Sequence, residues 1–130
     1  MHVRLSDVLA IARRNAPWVL RVSGTSMRPR ILPGDRLEVR PRDTIRFGDV
    51  VVFARGGSLV AHRVLKAAAV LVTAGDASRG STEYVERRDV LGVGDRVFRS
   101  GMAPFRPRSV PAALALRARI GLKYYLRMKR

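Results

Sequence analysis

Apolar positions recur along this chain with two periods. Across Leu5 to Asn15, the residues Leu5, Val8, Leu9 and Ala12 stand three or four apart, and Arg13, Arg14 and Asn15 close the run before Pro17. That spacing predicts a short amphipathic helix. From Trp18 onward the pattern changes to short alternating or β-branched runs separated by turn residues: Trp18 to Val22, Arg36 to Arg40, Val50 to Arg55, Leu59 to Leu65, Ala69 to Thr73 and Arg96 to Arg99. Gly56-Gly57, between two such runs, is the plainest hairpin signal. The Gly-Asp pairs at 34–35, 48–49, 75–76 and 94–95 read as turns, most of them just ahead of a strand. Helical spacing returns after the proline-containing stretch Pro104 to Pro111. There Leu114, Ala118, Gly121, Leu122, Tyr125 and Met128 share one face, interrupted by Arg117, while Arg119, Lys123, Arg127 and Arg130 line another.

These periods predict a mainly β protein: a small curled, mostly antiparallel sheet or partial barrel, with a short N-terminal helix and a basic C-terminal helix. Residues 1–16 form the first helix, 17–100 the β domain, and 101–130 a linker and terminal helix, all in one globular unit. A length of 130 residues fits a single modest core.

Composition narrows the chemistry. No cysteine is present, which excludes disulfides, a thiolate zinc site and a cysteine nucleophile. No metal or cofactor is expected. Lys and Arg number 26 against 10 Asp and Glu, a formal charge of +16, so anionic partners are favoured: an acidic peptide, an anionic membrane surface or nucleic acid. Nucleic acid is the least suited, because the aromatics are scattered and no basic-aromatic strand or helix-turn-helix is evident. Residues 110–130 hold six cations and no acid, so the last helix could lie on an anionic membrane with Tyr124 and Tyr125 near the headgroups. No run approaches the roughly 18 apolar residues of a spanning helix, and the N-terminus lacks the order of a secretory signal. The expected location is cytoplasmic, with peripheral membrane contact.

The stretch from Ser23 to Asp35 sets one hydroxyl, Ser26, between Gly24-Thr25 and Met27, after an apolar run and before a proline-broken turn. Gly24-Thr25-Ser26-Met27-x-Pro29, then Pro33-Gly34-Asp35-x-Leu37-x-Val39, then Gly48-Asp49-Val50-Val51-Val52-Phe53 resembles the type I signal peptidase family. Val22-Ser23-Gly24-x-Ser26-Met27 is also similar to the self-cleaving SOS and phage repressors of the same wider superfamily. The resemblance spans about Trp18 to Val97 and implies that Ser26 is a nucleophile. It also implies a base on a later strand. Leu59-Val-Ala-His-Arg-Val-Leu65 matches that strand and puts His62 where the archaeal and endoplasmic-reticulum branch carries histidine.

A serine hydroxyl needs a neighbouring base to be nucleophilic at neutral pH. Of the two histidines, His2 lies at the terminus, so His62 is the imidazole available. Such a base needs a carboxylate to orient it. By resemblance, Thr73-Ala-Gly-Asp-Ala77 supplies one, making Asp76 the first choice, with Glu83 in reserve. The Ser26 amide is the natural oxyanion donor, Gly24 lets the chain bend towards substrate, and Thr25 or Ser23 is a candidate second donor. The expected activity is that of a serine endopeptidase cutting an extended precursor or leader peptide. The alternative is a non-catalytic module of the same fold that binds acidic peptide, nucleic acid or membrane through its basic surface.

Overall fold

The computed structural model describes the backbone of residues 4–128 and the side chains of residues 4–121. One helix, α1 (Leu5–Arg13), precedes the strands β1 (Trp18–Arg21), β2 (Arg36–Arg40), β3 (Val50–Arg55), β4 (Ser58–Ala67), β5 (Val70–Ala74), β6 (Glu83–Glu86) and β7 (Val90–Phe98). A second helix, α2 (Val110–Met128), follows them. The seven strands form one antiparallel sheet in the order β1-β2-β7-β3-β4-β5-β6. The mainly β architecture with a helix at each end agrees with the pattern of the sequence.

The sheet curls on itself, as cross-sheet contacts record: Val51 and Phe53 of β3 share a core with Leu71 of β5 and Val85 of β6. Successive side chains of a strand face opposite sides, and Val50 and Val52 pack on the other face with Leu37, Val39, Val97, Met27 and Ile31. Because both of its faces are covered, β3 reads as an uninterrupted apolar run, buried from Val50 to Phe53. Gly56 and Gly57 take φ of 58° and 78° in the two-residue turn between β3 and β4, which a Cβ would disfavour.

Three features differ from the sequence pattern. Gly94-Asp95 lies inside β7 and makes no turn. A Cβ at Gly92 would stand 2.5 Å from Val39 Cγ1, and one at Gly94 2.9 Å from Leu37 Cδ1, so these glycines let β2 side chains press on β7. The stretch after β7 is exposed over residues 101–104 but pinned to the sheet at Phe105: Val97 and Phe105 exchange backbone hydrogen bonds, and Phe105 packs on the β1–β2 side of the core. On α2 the face against the sheet is Ala113, Leu116 and Ile120, packed on Leu65, Ala74 and Phe47, whereas Leu114, Ala118 and Gly121 point to solvent. Spacings of three and four select that seam, and Arg117 stacks its guanidinium on Phe47 from the edge. The side chains of Leu122, Lys123, Tyr124, Tyr125, Arg127 and Met128, and all of His2 and Arg130, lie outside the described residues. Among the described residues no helix is long and apolar enough to cross a membrane.

Arg63 of β4 ties these parts together. It is fully buried. Its Nε and Nη2 each donate to one carboxylate oxygen of Asp76 at 2.7 Å, and its Nη1 donates to the carbonyls of Gly48 at 2.9 Å and Pro107 at 2.8 Å. One side chain thus joins the strand to the turns on either side of it and to the approach of α2. Removing either partner of such a pair strands a buried charge, at about 3–5 kcal/mol. Asp76→Asn and Arg63→Met are therefore each expected to lower the unfolding free energy by about that amount in urea titration. Lysine at position 63 is expected to restore little, because an ammonium cannot repeat the planar fork.

Candidate active site

The loop that carries Ser26 is closed at its base. The Val22 amide donates to Asp35 O and the Gly34 amide to Val22 O, both at 2.8 Å, while Gly34 takes a φ of 92°. Asp35, itself buried, accepts from the Leu32 amide at 2.8 Å and from Arg99 Nε and Nη2 at 2.9 and 2.7 Å. Met27 and Ile31 sink into the core below and leave Ser26 exposed at the surface.

His62 arrives from β4. Its directly paired neighbour is Val51, and its ring meets Phe53 edge-on with centroids 6.1 Å apart. Its Nε2 lies 3.1 Å from Ser26 Oγ. On the other side of the ring, Nδ1 is hydrogen-bonded to Glu83 Oε1 at the start of β6. Thr73, buried on β5 and paired in register with Glu83, donates its hydroxyl to the same oxygen at 3.0 Å. Burial pushes the Glu83 carboxyl up, but the hydrogen bonds and charge from His62, the Thr73 hydroxyl and the nearby Arg55 outweigh it, leaving Glu83 below the ordinary carboxylate range. An ionised Glu83 can only accept, so Nδ1 donates to it, and in the neutral imidazole it is then the lone pair of Nε2 that faces Ser26.

Asp76 does not touch His62. Both its oxygens are taken by Arg63, so the acid placed first by sequence resemblance is a structural brace, and the carboxylate on the imidazole is Glu83. The reason is alternation. His62 and its neighbour Arg63 project to opposite faces of β4, and in the turn after β5 it is Gly75 that lies against His62 while the Asp76 carboxylate lies on Arg63. The same turn nevertheless shapes the site. The Ala77 amide donates to Ser26 O at 2.9 Å. A Cβ on Gly75 would stand 2.5 Å from Ser26 O, 3.0 Å from Ser26 Cβ and 3.2 Å from His62 Nε2, so only glycine lets the serine loop close on the histidine. Arg119 of α2 reaches over to the carbonyls of Asp76 and Ser78, anchoring the turn from outside.

Gly24 adopts no left-handed conformation and faces open space, so nothing in its geometry demands glycine. Thr25 is exposed, and its carbonyl accepts the Arg28 amide at 3.1 Å. The Ser26 amide donates to no acceptor among the described residues and is available to a ligand. Thr73 and Gly75 are the site residues that sequence reasoning missed. Thr73 is signalled only by its cross-strand register with Glu83, and Gly75 only by the approach of a loop some fifty residues away in sequence.

The acids of this region also set a pH dependence. The Arg99 hydrogen bonds hold the Asp35 carboxyl below its ordinary value, against an opposing push from burial. A folded-state pKa below the unfolded value of about 3.9 adds stability that is complete above about pH 4 and is lost as pH falls through the folded pKa. Stability is therefore expected to decline steeply below about pH 4. Asp35→Asn is expected to flatten that acid limb while lowering stability at neutral pH, measured by urea titration across the acid range.

With the geometry established, comparison with known proteins adds one match. No curated protein matches the chain. A protein-family model described as Peptidase S24-like matches residues 2–90, a span that takes in Ser26, His62, Thr73, Asp76 and Glu83. More than half of the chain is covered, within a superfamily that unites repressor-type and signal-peptidase-type proteins, and the chain belongs to the Peptidase S24-like family.

Proposed function

We propose that this protein is a serine endopeptidase of the signal-peptidase type, with Ser26 as nucleophile, His62 as general base and Glu83 as the carboxylate that orients it. The single observation that carries this reading is the continuous line Ser26 Oγ, His62 Nε2, His62 Nδ1, Glu83 Oε1 at an exposed surface. Ser26 Oγ attacks the scissile carbonyl as its proton passes to Nε2. The new negative charge on the carbonyl oxygen is met by the Ser26 amide. The same proton then goes to the leaving amine, and water releases the acyl group by the reverse sequence. Glu83 stays ionised throughout and stabilises the imidazolium.

An extended substrate suits this surface. β4 pairs with β5 only from Arg63 onward, so among the described residues its Ser58–His62 edge has no strand on that side and leads directly to the histidine. A peptide added there would be held by main-chain hydrogen bonds, and the net positive charge favours acidic segments. The resemblance to signal peptidases makes small residues before the cleaved bond the first substrates to try. Contact of α2 with an anionic membrane remains part of this proposal, since its outward face and basic composition suit such a surface.

The test is labelling with a serine-reactive acylating probe followed by intact mass measurement. The parent is expected to gain one adduct, and Ser26→Ala and His62→Ala none, with folding intact in both. Equal labelling of all three would leave a non-catalytic binding module as the better description. Given a cleavable peptide, Glu83→Gln is expected to lower kcat roughly 10²- to 10⁴-fold, while losing the stability at neutral pH that its lowered carboxyl pKa carries. Asp76→Asn is expected to act through stability instead. Gly75→Ala is expected to abolish labelling by parting Ser26 from His62.

A further inference from the structure

A cavity of about 370 Å³ opens between β7 and the loop preceding β3, away from the Ser26 site, walled by Arg42, Arg46, Arg106 and Arg108 with Asp49 and Asp95. Val93 and Gly94 form its floor. Asp95 enters it because of a bulge: Glu38 pairs with Arg96 and Val39 with Gly94, which leaves Asp95 as the extra residue of β7.

The charges in this cavity are not balanced. Four guanidiniums and two carboxylates leave a formal surplus of two positive charges in the wall. Neither carboxylate can offset more. Asp95 is already bonded by Arg42, by Arg106 at 2.6 Å and by Arg40 at 3.1 Å, and although burial pushes its carboxyl up, those cations hold it below the ordinary range, so it remains charged. Asp49 accepts the Arg46 backbone amide at 2.7 Å and stands 3.5 Å from Arg108 Nε, too far for a good hydrogen bond. That Arg108 Nε is buried and, among the described residues, has no hydrogen-bond partner. The Arg46 side chain is exposed and makes no hydrogen bond or ion pair to another of the described residues.

A buried donor without an acceptor, beside a free guanidinium and a surplus of two charges, is an arrangement that an anion completes. A phosphomonoester carries about −1.5 to −2 at neutral pH, close to the surplus, and its oxygens suit the planar guanidinium fork. A phosphodiester, with one charge, would leave the wall unbalanced. The volume is near the lower end for small-molecule pockets, roughly 300–1,000 Å³, so it admits the phosphate together with part of the group that bears it. We propose that this cavity is a binding site for a phosphomonoester, either free in solution or displayed as a lipid headgroup.

The full-length protein is titrated calorimetrically with inorganic phosphate and glycerol phosphate at constant ionic strength. Saturable one-site binding is expected. Arg46→Gln and Arg106→Gln are each expected to weaken it about tenfold or more, whereas Arg88→Gln, whose side chain pairs with Glu86 outside the cavity, leaves it unchanged. The source of the phosphate is read with phosphatidylcholine vesicles carrying phosphatidate or phosphatidylserine. Capture by phosphatidate alone, reversed by soluble phosphate, assigns a headgroup, and soluble binding without capture assigns a free ligand. Absence of saturable binding would overturn the proposal, as would equal losses in Arg88→Gln or parent-like affinity in Arg46→Gln and Arg106→Gln. Ser26→Ala is expected to bind phosphate like the parent, so this result stands or falls apart from the peptidase reading.

Discussion

The buried ion pair between Arg63 and Asp76 is the constraint on which the rest depends. Its partners are sequence neighbours of two site residues: His62 precedes Arg63, and Gly75 precedes Asp76. Fixing the pair therefore fixes the height of the imidazole on β4 and the path of the turn that receives the serine loop. A fork bonded at 2.7 Å through both nitrogens tolerates little sliding. Buried pairs of this kind add little over a well-packed apolar substitute once desolvation is counted, whereas the planar fork restricts which residues can meet across it.

Around that pair, the site is assembled by absences as much as by contacts. Gly75 has no side chain because the serine loop occupies the space, and Gly92 and Gly94 have none because β2 side chains do. The three elements that bring Ser26, His62 and Glu83 together are a loop held by Asp35 and Arg99, a strand held by Arg63, and an edge strand held in register by Thr73. The Asp35–Arg99 and Arg63 anchors lie away from the Ser26–His62 contact, whereas Thr73 bonds the Glu83 oxygen that meets the imidazole. Preorganisation of this kind places the cost of positioning these side chains in the folding of the domain.

The arginine excess also divides by role. Arg63 and Arg99 are braces, and Arg119 ties α2 to the turn beside Ser26. Those of the β7 cavity crowd two aspartates that cannot neutralise them. Net charge alone describes only long-range attraction, and these separate duties follow from which guanidiniums find a carboxylate within hydrogen-bond reach.

Much of the architecture was legible in the residue pattern, because strand alternation, the Gly56-Gly57 turn and both helical periods are local signals that the chain carries without reference to its partners. The serine loop and the histidine strand were legible through the resemblance of the motifs around Ser26 and His62 to signal peptidases and self-cleaving repressors. What the pattern did not reveal was β6, where only Val85 of Glu83–Glu86 is buried, and the continuation of β7 through Gly94-Asp95, whose residues look like a turn until β2 is laid beside them. It also ranked Asp76 before Glu83. Both acids follow the histidine at plausible distances in sequence, and only the alternation of β4, which sends His62 and Arg63 to opposite faces, sends one acid to the imidazole and the other to the guanidinium. Sequence determined which residue types and which local shapes were available. Tertiary structure decided the pairing, because the distance between side chains sixty residues apart is set by sheet register and curl, neither of which any single segment contains.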